Sequence, residues 1–369
     1  MKKISLLCYN IMTTGGVEKV AMTVANDLAN RGIEVEIVYM RKGRNTDENC
    51  FDKRVKFKQL TSEKSSKCIG EIREYLKSSN IDAIISFGRH INNSLMLASV
   101  GLKSKPTLVL TEHGNPRMAE SLAKNNISKF KIKLTNKLSK ILYKKADRIV
   151  AVSNSLGEIL REEIKNCKID VIYNPVIDEN FYIKSEKYIN EFPYTQSIKP
   201  IVVTVGRLSE VKNHKLLIDA FKIVLESRDA YLVLVGDGEL EGELLKKIQN
   251  LGLENNIFIL GYKENPYPYI KQADTFVLSS KTESFGLVLV EALALNTNVV
   301  STDCEVGPRE ILQDGKFGLL CEQDANELAK AINSSLEKER YVNDNDEYIN
   351  KYLQQFKVEK VVDKYLKII

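Results

Sequence analysis

Short β-branched runs alternate with longer stretches of helical periodicity along this chain, and the alternation is played out twice with a break between. Neighbouring parallel strands must be joined by a crossover, usually a helix, so the pattern predicts parallel sheets with helices on both faces. In the first series, residues 4–8 read as a strand and Gly15-Gly16 opens a helix with Val17, Val20, Ala21, Val24 and Leu28 on one face. Gly32 ends that helix, residues 33–39 supply the next strand, and the runs at 81–86, 107–110, 148–152 and 169–172 continue the sheet. After Asn174-Pro175 the periodicity lapses until Lys199, and Pro193 and Pro200 bound a polar stretch suited to a linker. The second series then runs through strand Ile201–Val205, helix 216–225, strand Tyr231–Val235, helix 239–251, strands 257–260 and Thr275–Leu278, helix 287–295 and strand 299–301.

The expected fold is therefore α/β, with two Rossmann-like domains facing across a cleft, an N-terminal one over residues 1–180 and a C-terminal one over 199–355. An apolar-striped helix at 356–369 can pack on either domain, crossing back to the N-terminal one being one of the two choices. A length of 369 residues fits two cores. The six cysteines include no CxxC pair, which predicts reduced thiols in a cytoplasmic protein and neither a disulfide framework nor a zinc site. The short apolar run after Met1-Lys2-Lys3 reads as a strand rather than a signal peptide, and no run of about 18 apolar residues predicts a membrane span. The net charge of +5 is unevenly spread: residues 1–180 hold 31 Lys+Arg against 20 Asp+Glu, the remainder 23 against 29. The N-terminal half therefore favours an anionic partner or surface.

In open α/β sheets ligands bind beyond the carboxyl ends of the strands, so the loops there are where chemistry is sought. Strand Ile201–Val205 runs into Gly206-Arg207-Leu208-Ser209-Glu210-Val211-Lys212, placing a planar cationic fork and a point charge where a diphosphate would lie. The bland reading is a pair of surface charges near a helix start. The segment Glu283-Ser284-Phe285-Gly286-Leu287-Val288-Leu289-Val290-Glu291 sets two carboxylates across a loop-to-helix transition. Gly286 permits close approach of a ligand, and the amides of Leu287 and Val288 form a helix N-terminus that attracts phosphate. Glu291, inside an apolar run, is costly to bury unpaired; a ribose hydroxyl partner and a bond to nearby backbone are the two explanations. His113, in Thr111-Glu112-His113-Gly114 just beyond a strand end, reads either as a sugar-binding group or as a loop brace.

The order Gly206-Arg207-Leu208 with Lys212, then Gly236-Asp237-Gly238, then Glu283 through Glu291 resembles glycosyltransferase family 4, retaining enzymes of the GT-B fold. The likeness extends to Gly15-Gly16-Val17-Glu18, similar to the family's N-terminal glycine loop, and to Ile172-Tyr173-Asn174-Pro175, similar to its interdomain signature. The resemblance implies a hexosyltransferase that moves a hexose or N-acetylhexosamine from a nucleotide diphosphate sugar, UDP being the nucleotide expected on family grounds, with retention. It implies that Arg207 and Lys212 hold the donor diphosphate, that Glu291 bonds the ribose, and that Gly16 presents its backbone to the diphosphate. Glu283 faces the transferred sugar and, with His113, is a candidate catalytic residue, while backbone around Gly261-Tyr262 frames the base.

A nucleotide diphosphate leaves with two negative charges, so the enzyme's main task is to stabilise charge on the leaving group. Metal-dependent transferases would show an acidic DxD at a strand end; the only one here, Asp344-Asn345-Asp346, sits in a polar tract, so no cofactor and no essential metal are expected. Between Ser121 and Ala146 lie eight lysines, from Lys124 to Lys145, and no acidic residue. Ile127, Phe130, Leu134, Leu138, Ile141 and Leu142 form a stripe on the same helix. Such a segment suits an anionic membrane surface or a polyprenyl-diphosphate-linked acceptor; its alternative is a helix packed on the sheet with a solvated lysine face. The acceptor expected from the family is a glycan or lipid-linked glycan of a surface polysaccharide or glycoconjugate.

Rival classes are weaker. A nucleotide-sugar epimerase shares the two-domain architecture but needs no acceptor, and a phosphorylase usually has a longer chain. A dehydrogenase would carry GxGxxG, which is missing from the turn Tyr9 to Gly16. The sparse aromatic residues of the lysine helix argue against a specific nucleic-acid partner.

Overall fold

The computed structural model describes residues 2–11, 15–43, 48–121, 123, 125–195, 199–337 and 347–369. The chain divides into two α/β units: the first runs to Pro175 and takes up Phe356–Ile369, and the second is Val176–Gln355. The first is built on strands β1 (Lys3–Ile11), β2 (Glu34–Lys42), β3 (Lys56–Gln59), β4 (Ala83–Phe87), β5 (Thr107–Glu112), β6 (Arg148–Ala151) and β7 (Ile169–Val171). They form one parallel sheet in the order β3-β2-β1-β4-β5-β6-β7. The second contains β8 (Ile201–Val205), β9 (Tyr231–Val235), β10 (Ile257–Ile259), β11 (Thr275–Leu278), β12 (Asn298–Thr302) and β13 (Leu319–Cys321), parallel in the order β10-β9-β8-β11-β12-β13. Both orders are the Rossmann order, and each reverses direction once, between β1 and β4 and between β8 and β11.

The central strands are buried along nearly their whole length, as strands covered by helices on both faces must be. In the second unit Val202, Leu232, Leu234, Val277 and Val300 of the sheet pack with Leu217, Phe221 and Ile332 of the helices. The two strands that periodicity did not indicate, β3 and β13, are short edges, and β3 carries two exposed-side lysines that discourage further pairing.

The stretch expected to be a linker is instead packed structure. Phe181 is fully buried, with its ring centroid 4.5 Å from that of Tyr267, and Asn265 Nδ2 donates to the Lys184 carbonyl at 2.7 Å. The Tyr194 hydroxyl donates to the Tyr269 carbonyl at 3.0 Å and Lys263 pairs with Glu191 at 2.7 Å. These contacts draw the chain into the second unit from Val176 onward, so the division falls before residue 180.

The terminal helix Val358–Ile368 packs against helix Gly16–Asn30 of the first unit. Val361, Val362 and Tyr365 of the terminal helix are buried, and Arg31 clamps the helix through Asp363 at 2.5 Å and the Glu359 carbonyl at 2.9 Å. Among the described residues no helix is long and apolar enough to cross a membrane. Replacing the buried Tyr365 with alanine should leave a cavity and destabilise the first unit by about 3 kcal/mol. Urea unfolding measures this; an unchanged midpoint would mean that the helix adds nothing to that core.

Candidate functional site

At the switch point of the second sheet, the loops that follow β8, β9 and β10 are laid directly on one another. Gly206 N donates to the Val235 carbonyl at 3.0 Å, Leu208 N to Asp237 at 2.7 Å and Gly236 N to Gly261 at 2.8 Å. A Cβ on Gly236 would run into the Gly206 carbonyl oxygen, and one on Gly238 into that of Leu208. Glycine is required here because backbone meets backbone. Tyr262, half-buried, follows Gly261 at the edge of this layer.

Across the switch point, the loop after β11 carries Glu283. Lys212 Nζ lies 2.6 Å from Glu283 Oε1, and the Ser280 hydroxyl donates to the same oxygen at 2.7 Å. Both members of the pair stand on fixed backbone. Ser279 Oγ donates to the Lys212 carbonyl at 2.9 Å and Lys281 N to Val211 at 2.8 Å, while the Ser280 carbonyl accepts from Thr302 Oγ1 at 2.7 Å and from Cys304 Sγ at 3.1 Å. Burial, and next the nearby Glu283 carboxylate, push the Cys304 thiol up to about 12, so it stays an uncharged thiol.

The same loop ends at Gly286, whose φ of +94° suits glycine, and helix Leu287–Ala294 begins there without a side-chain cap. The amides of Leu287 and Val288 belong to the first turn, where no intrahelical acceptor exists. Gly307 holds the loop from behind, since a Cβ on it would strike the Phe285 carbonyl oxygen. Glu291 is only 2% exposed on that helix but is not an orphan charge within the protein. Its burial therefore does not by itself demand an external hydroxyl.

Arg207 is placed differently from Lys212. Its side chain is 72% exposed and its Nε donates to Glu239 at 3.2 Å, whereas Lys212 is held in the shielded pair with Glu283. A surface pair of this kind is worth about 0–1 kcal/mol, and the guanidinium can be redirected at little cost. Asp344-Asn345-Asp346 lies outside the described residues.

In the first unit Gly16 is the first residue of helix Gly16–Asn30, which follows β1 and has no side-chain cap. A Cβ on Gly15 would strike the Glu18 carboxylate, so Glu18 folds back over this first turn. His113 follows β5, stacked on Phe87 with ring centroids 5.7 Å apart and planes at 27°, its Nε2 lying 3.0 Å from Thr111 Oγ1. Beneath it is a polar cluster that spacing did not reveal. Glu112, 1% exposed, pairs with Arg89 at 3.1 Å, accepts from Asn92 Nδ2 at 3.2 Å and from the Tyr143 hydroxyl. Arg89 NH1 also donates to Asn136 Oδ1 at 2.8 Å. The only signal in the sequence was the carboxylate beside His113 at a strand end.

Asn136 belongs to the lysine-rich helix, Asn126–Leu142, which packs against helix Arg89–Ser99 with its lysines exposed, as the packed-helix alternative expects of the lysine face. Its inward side mixes buried Leu142 and half-buried Ile132 with hydrogen-bonding groups: Ser139 Oγ donates to Asn93 Oδ1 at 3.0 Å and Asn93 Nδ2 donates to the Thr135 carbonyl at 3.3 Å. Ile127, Phe130, Leu134 and Ile141 point outward, between 58% and 69% exposed, among the exposed lysines Lys129, Lys131, Lys133, Lys137 and Lys140. Of the expected stripe, Leu142 is buried and Leu138 half-buried; Lys124 lies outside the described residues.

Residues 14–180 match the model of the family described as Glycosyltransferase Family 4, and residues 190–355 that described as Glycosyl transferases group 1. The chain is 30% identical over 358 residues to the N-acetylgalactosamine-N,N'-diacetylbacillosaminyl-diphospho-undecaprenol 4-alpha-N-acetylgalactosaminyltransferase of Campylobacter jejuni, with 92% of each chain covered. It is 27% identical over 385 residues to the N-acetyl-alpha-D-glucosaminyl L-malate synthase of Bacillus anthracis, covering 98% of this chain and 95% of that one. The solved structure of Anabaena Alr3699/HepE in complex with UDP and glucose shares the fold, with a TM-score of 0.78 at 20% identity over 100% of this chain and 99% of that one.

Burial pulls His113 down to about 4, and burial followed by the Lys212 charge does the same to His214. Both rings are neutral in the fold, whereas in the unfolded chain they bind protons below pH of about 6.5. Stability should therefore fall as the pH is lowered from about 6.5 to about 4, by up to about 1.4 kcal/mol per pH unit for each histidine, and be flat in these groups above that range. Urea titrations of the parent and of His214→Gln check this, the variant being expected to lose part of the slope; equal slopes would exclude His214 as a source.

Proposed function

The chain belongs to glycosyltransferase family 4, and from that premise we propose that it transfers a hexose or N-acetylhexosamine from a nucleotide diphosphate sugar, with UDP as the nucleotide, to a glycan or lipid-linked acceptor, with retention. The observation that carries the donor assignment is the Lys212–Glu283 pair at the β8/β11 switch point, beside an uncapped helix end. In this reading Lys212 and Arg207 take the diphosphate, together with the amides of Leu287 and Val288 behind Gly286, and need no metal to do so. Glu291 binds the ribose, the backbone beside Tyr262 frames the base, and Gly16 lends its amide to the diphosphate. Glu283, fixed by Lys212 and Ser280, faces the transferred sugar, and His113 contacts a sugar hydroxyl.

The proposed acceptor rests on the named substrate of the Campylobacter relative, a sugar chain on diphospho-undecaprenol, and on the outward face of helix Asn126–Leu142. Four exposed apolar side chains interleaved with lysines suit the headgroup region of an anionic bilayer, where the apolar groups leave water and the ammonium groups meet phosphate. In this reading the protein meets such a surface from the cytoplasmic side through that helix face.

UDP-sugars should raise the melting temperature more than GDP- or ADP-sugars, with or without EDTA, because a ligand confined to the native state stabilises it. Lys212→Met should weaken both UDP and UDP-sugar by about 10- to 100-fold. Glu283→Gln should leave UDP affinity nearly intact and lower turnover instead. If Lys212→Met and Arg207→Ala both bind UDP as the parent does, the diphosphate lies elsewhere. For the surface, Phe130→Asp combined with Leu134→Asp should abolish flotation with vesicles containing anionic lipid while leaving UDP binding unchanged; equal flotation of parent and variant would remove the membrane assignment.

A further inference from the structure

The hydroxyl of Thr111 has two neighbours and one proton. Thr111 Oγ1 is 2.7 Å from the Ser86 carbonyl oxygen and 3.0 Å from His113 Nε2. A carbonyl oxygen can only accept, so the hydroxyl proton is committed to Ser86, and the oxygen meets the imidazole with a lone pair. Nε2 must then supply the proton of the second hydrogen bond. The neutral ring carries one N–H, so Nδ1 is left bare, an acceptor.

The surroundings leave this arrangement little freedom. Phe87 stacks on the ring and sets its plane. The Ser86 hydroxyl donates to Asn92 Oδ1 at 2.6 Å, and Asn92 Nδ2 donates to the Thr111 carbonyl at 3.0 Å, so one amide ties together the two strand residues that orient the hydroxyl. Asn92 is in turn engaged with Glu112 Oε1 at 3.2 Å and the Tyr143 hydroxyl at 2.9 Å. Thr111 and Ser86 are fully buried, which excludes water as a competing acceptor for the hydroxyl proton. His113 itself is half-buried, and Nε2 is the ring nitrogen that meets Thr111.

We propose that Thr111 is a positioning residue that holds His113 as the Nε2–H tautomer, so that Nδ1 accepts a hydrogen bond from a hydroxyl of the sugar substrate. The sugar contact rests on the donor reading above; the tautomer does not. A group that only accepts selects a hydroxyl, which can donate, over a carbonyl or ether oxygen, which cannot. Burial, which pulls the ring down to about 4, keeps it from becoming a second donor at neutral pH.

The test is nitrogen-15 NMR of the imidazole in the parent, Thr111→Val and Thr111→Ser, joined to the KM for nucleotide sugar and the affinity for the nucleotide diphosphate alone. The parent and Thr111→Ser should show a bare Nδ1 and a protonated Nε2. Thr111→Val should show a mixture of tautomers and a KM raised about tenfold with nucleotide affinity unchanged, as loss of one oriented hydrogen bond predicts. A protonated Nδ1 in the parent overturns the proposal, as does a Thr111→Val protein with the parent's spectrum and KM. If the parent shows the bare Nδ1 but no nucleotide sugar raises its melting temperature, the donor reading and the sugar contact fail while the tautomer lock stands.

Discussion

An ammonium and a carboxylate 2.6 Å apart and mostly shielded from water tie the loop after β8 to the loop after β11. Removing two charges from water costs several kcal/mol per ion, and their attraction repays this only when the remaining hydrogen-bonding capacity is also used. Here Ser280 fills a second position on the same carboxylate oxygen, and the backbone beneath each partner is pinned from the neighbouring loop. The pair is thus a device for fixing position more than a source of stability. In the donor reading proposed above, a lysine already neutralised by a glutamate attracts an anion weakly at long range, and a diphosphate brought within reach would share its proton donors, since an ammonium has three.

The glycines make that arrangement possible. Two strand ends can lie as close as those of β8 and β9 only if no Cβ intrudes, which is the situation at Gly236 against Gly206 and Gly238 against Leu208. The result is a floor of backbone amides and carbonyls with few side chains rising from it. Arg207 leaves this floor at its solvent edge and is paired with Glu239 only through a surface contact. The two cations therefore differ in setting: Lys212 sits in a shielded pair, Arg207 in an exposed one.

Strands β8, β9 and β11 were legible to the residue because each is a short, largely β-branched or aromatic run bounded by turn residues, too short for a helix. The edge strands were not legible. Lys56–Gln59 carries the charges that protect an edge, which are the same charges that hide a strand from a hydrophobicity reading. The segment after Pro175 reads as polar because its anchors are a few isolated side chains such as Phe181, and isolated anchors have no period. In the candidate site, the residue types and their order were visible, but their partners were not: nothing in the spacing tells that Lys212 would find Glu283 while Arg207 turned to Glu239. The Arg89–Glu112–Tyr143 cluster joins residues far apart in sequence and was invisible for the same reason.

Helix Asn126–Leu142 shows how periodicity can be right about a face and silent about its direction. Of the six-residue stripe, Ile127, Phe130, Leu134 and Ile141 lie outward while Leu138 is half-buried and Leu142 buried, and which side of the helix meets solvent depends on what the opposite side can bond. Thr135, Asn136 and Ser139 supply that bonding, and Arg89, itself held by buried Glu112, provides one of their anchors. A buried ion pair with an outstretched guanidinium can satisfy a polar helix face in a way that an apolar sheet surface cannot. With those bonds made, Ile127, Phe130, Leu134 and Ile141 are left on the outward side. The same carboxylate neighbours Asn92, which orients Ser86 and Thr111 beneath His113, so the outward helix and the ring of His113 are both set from a single buried charge.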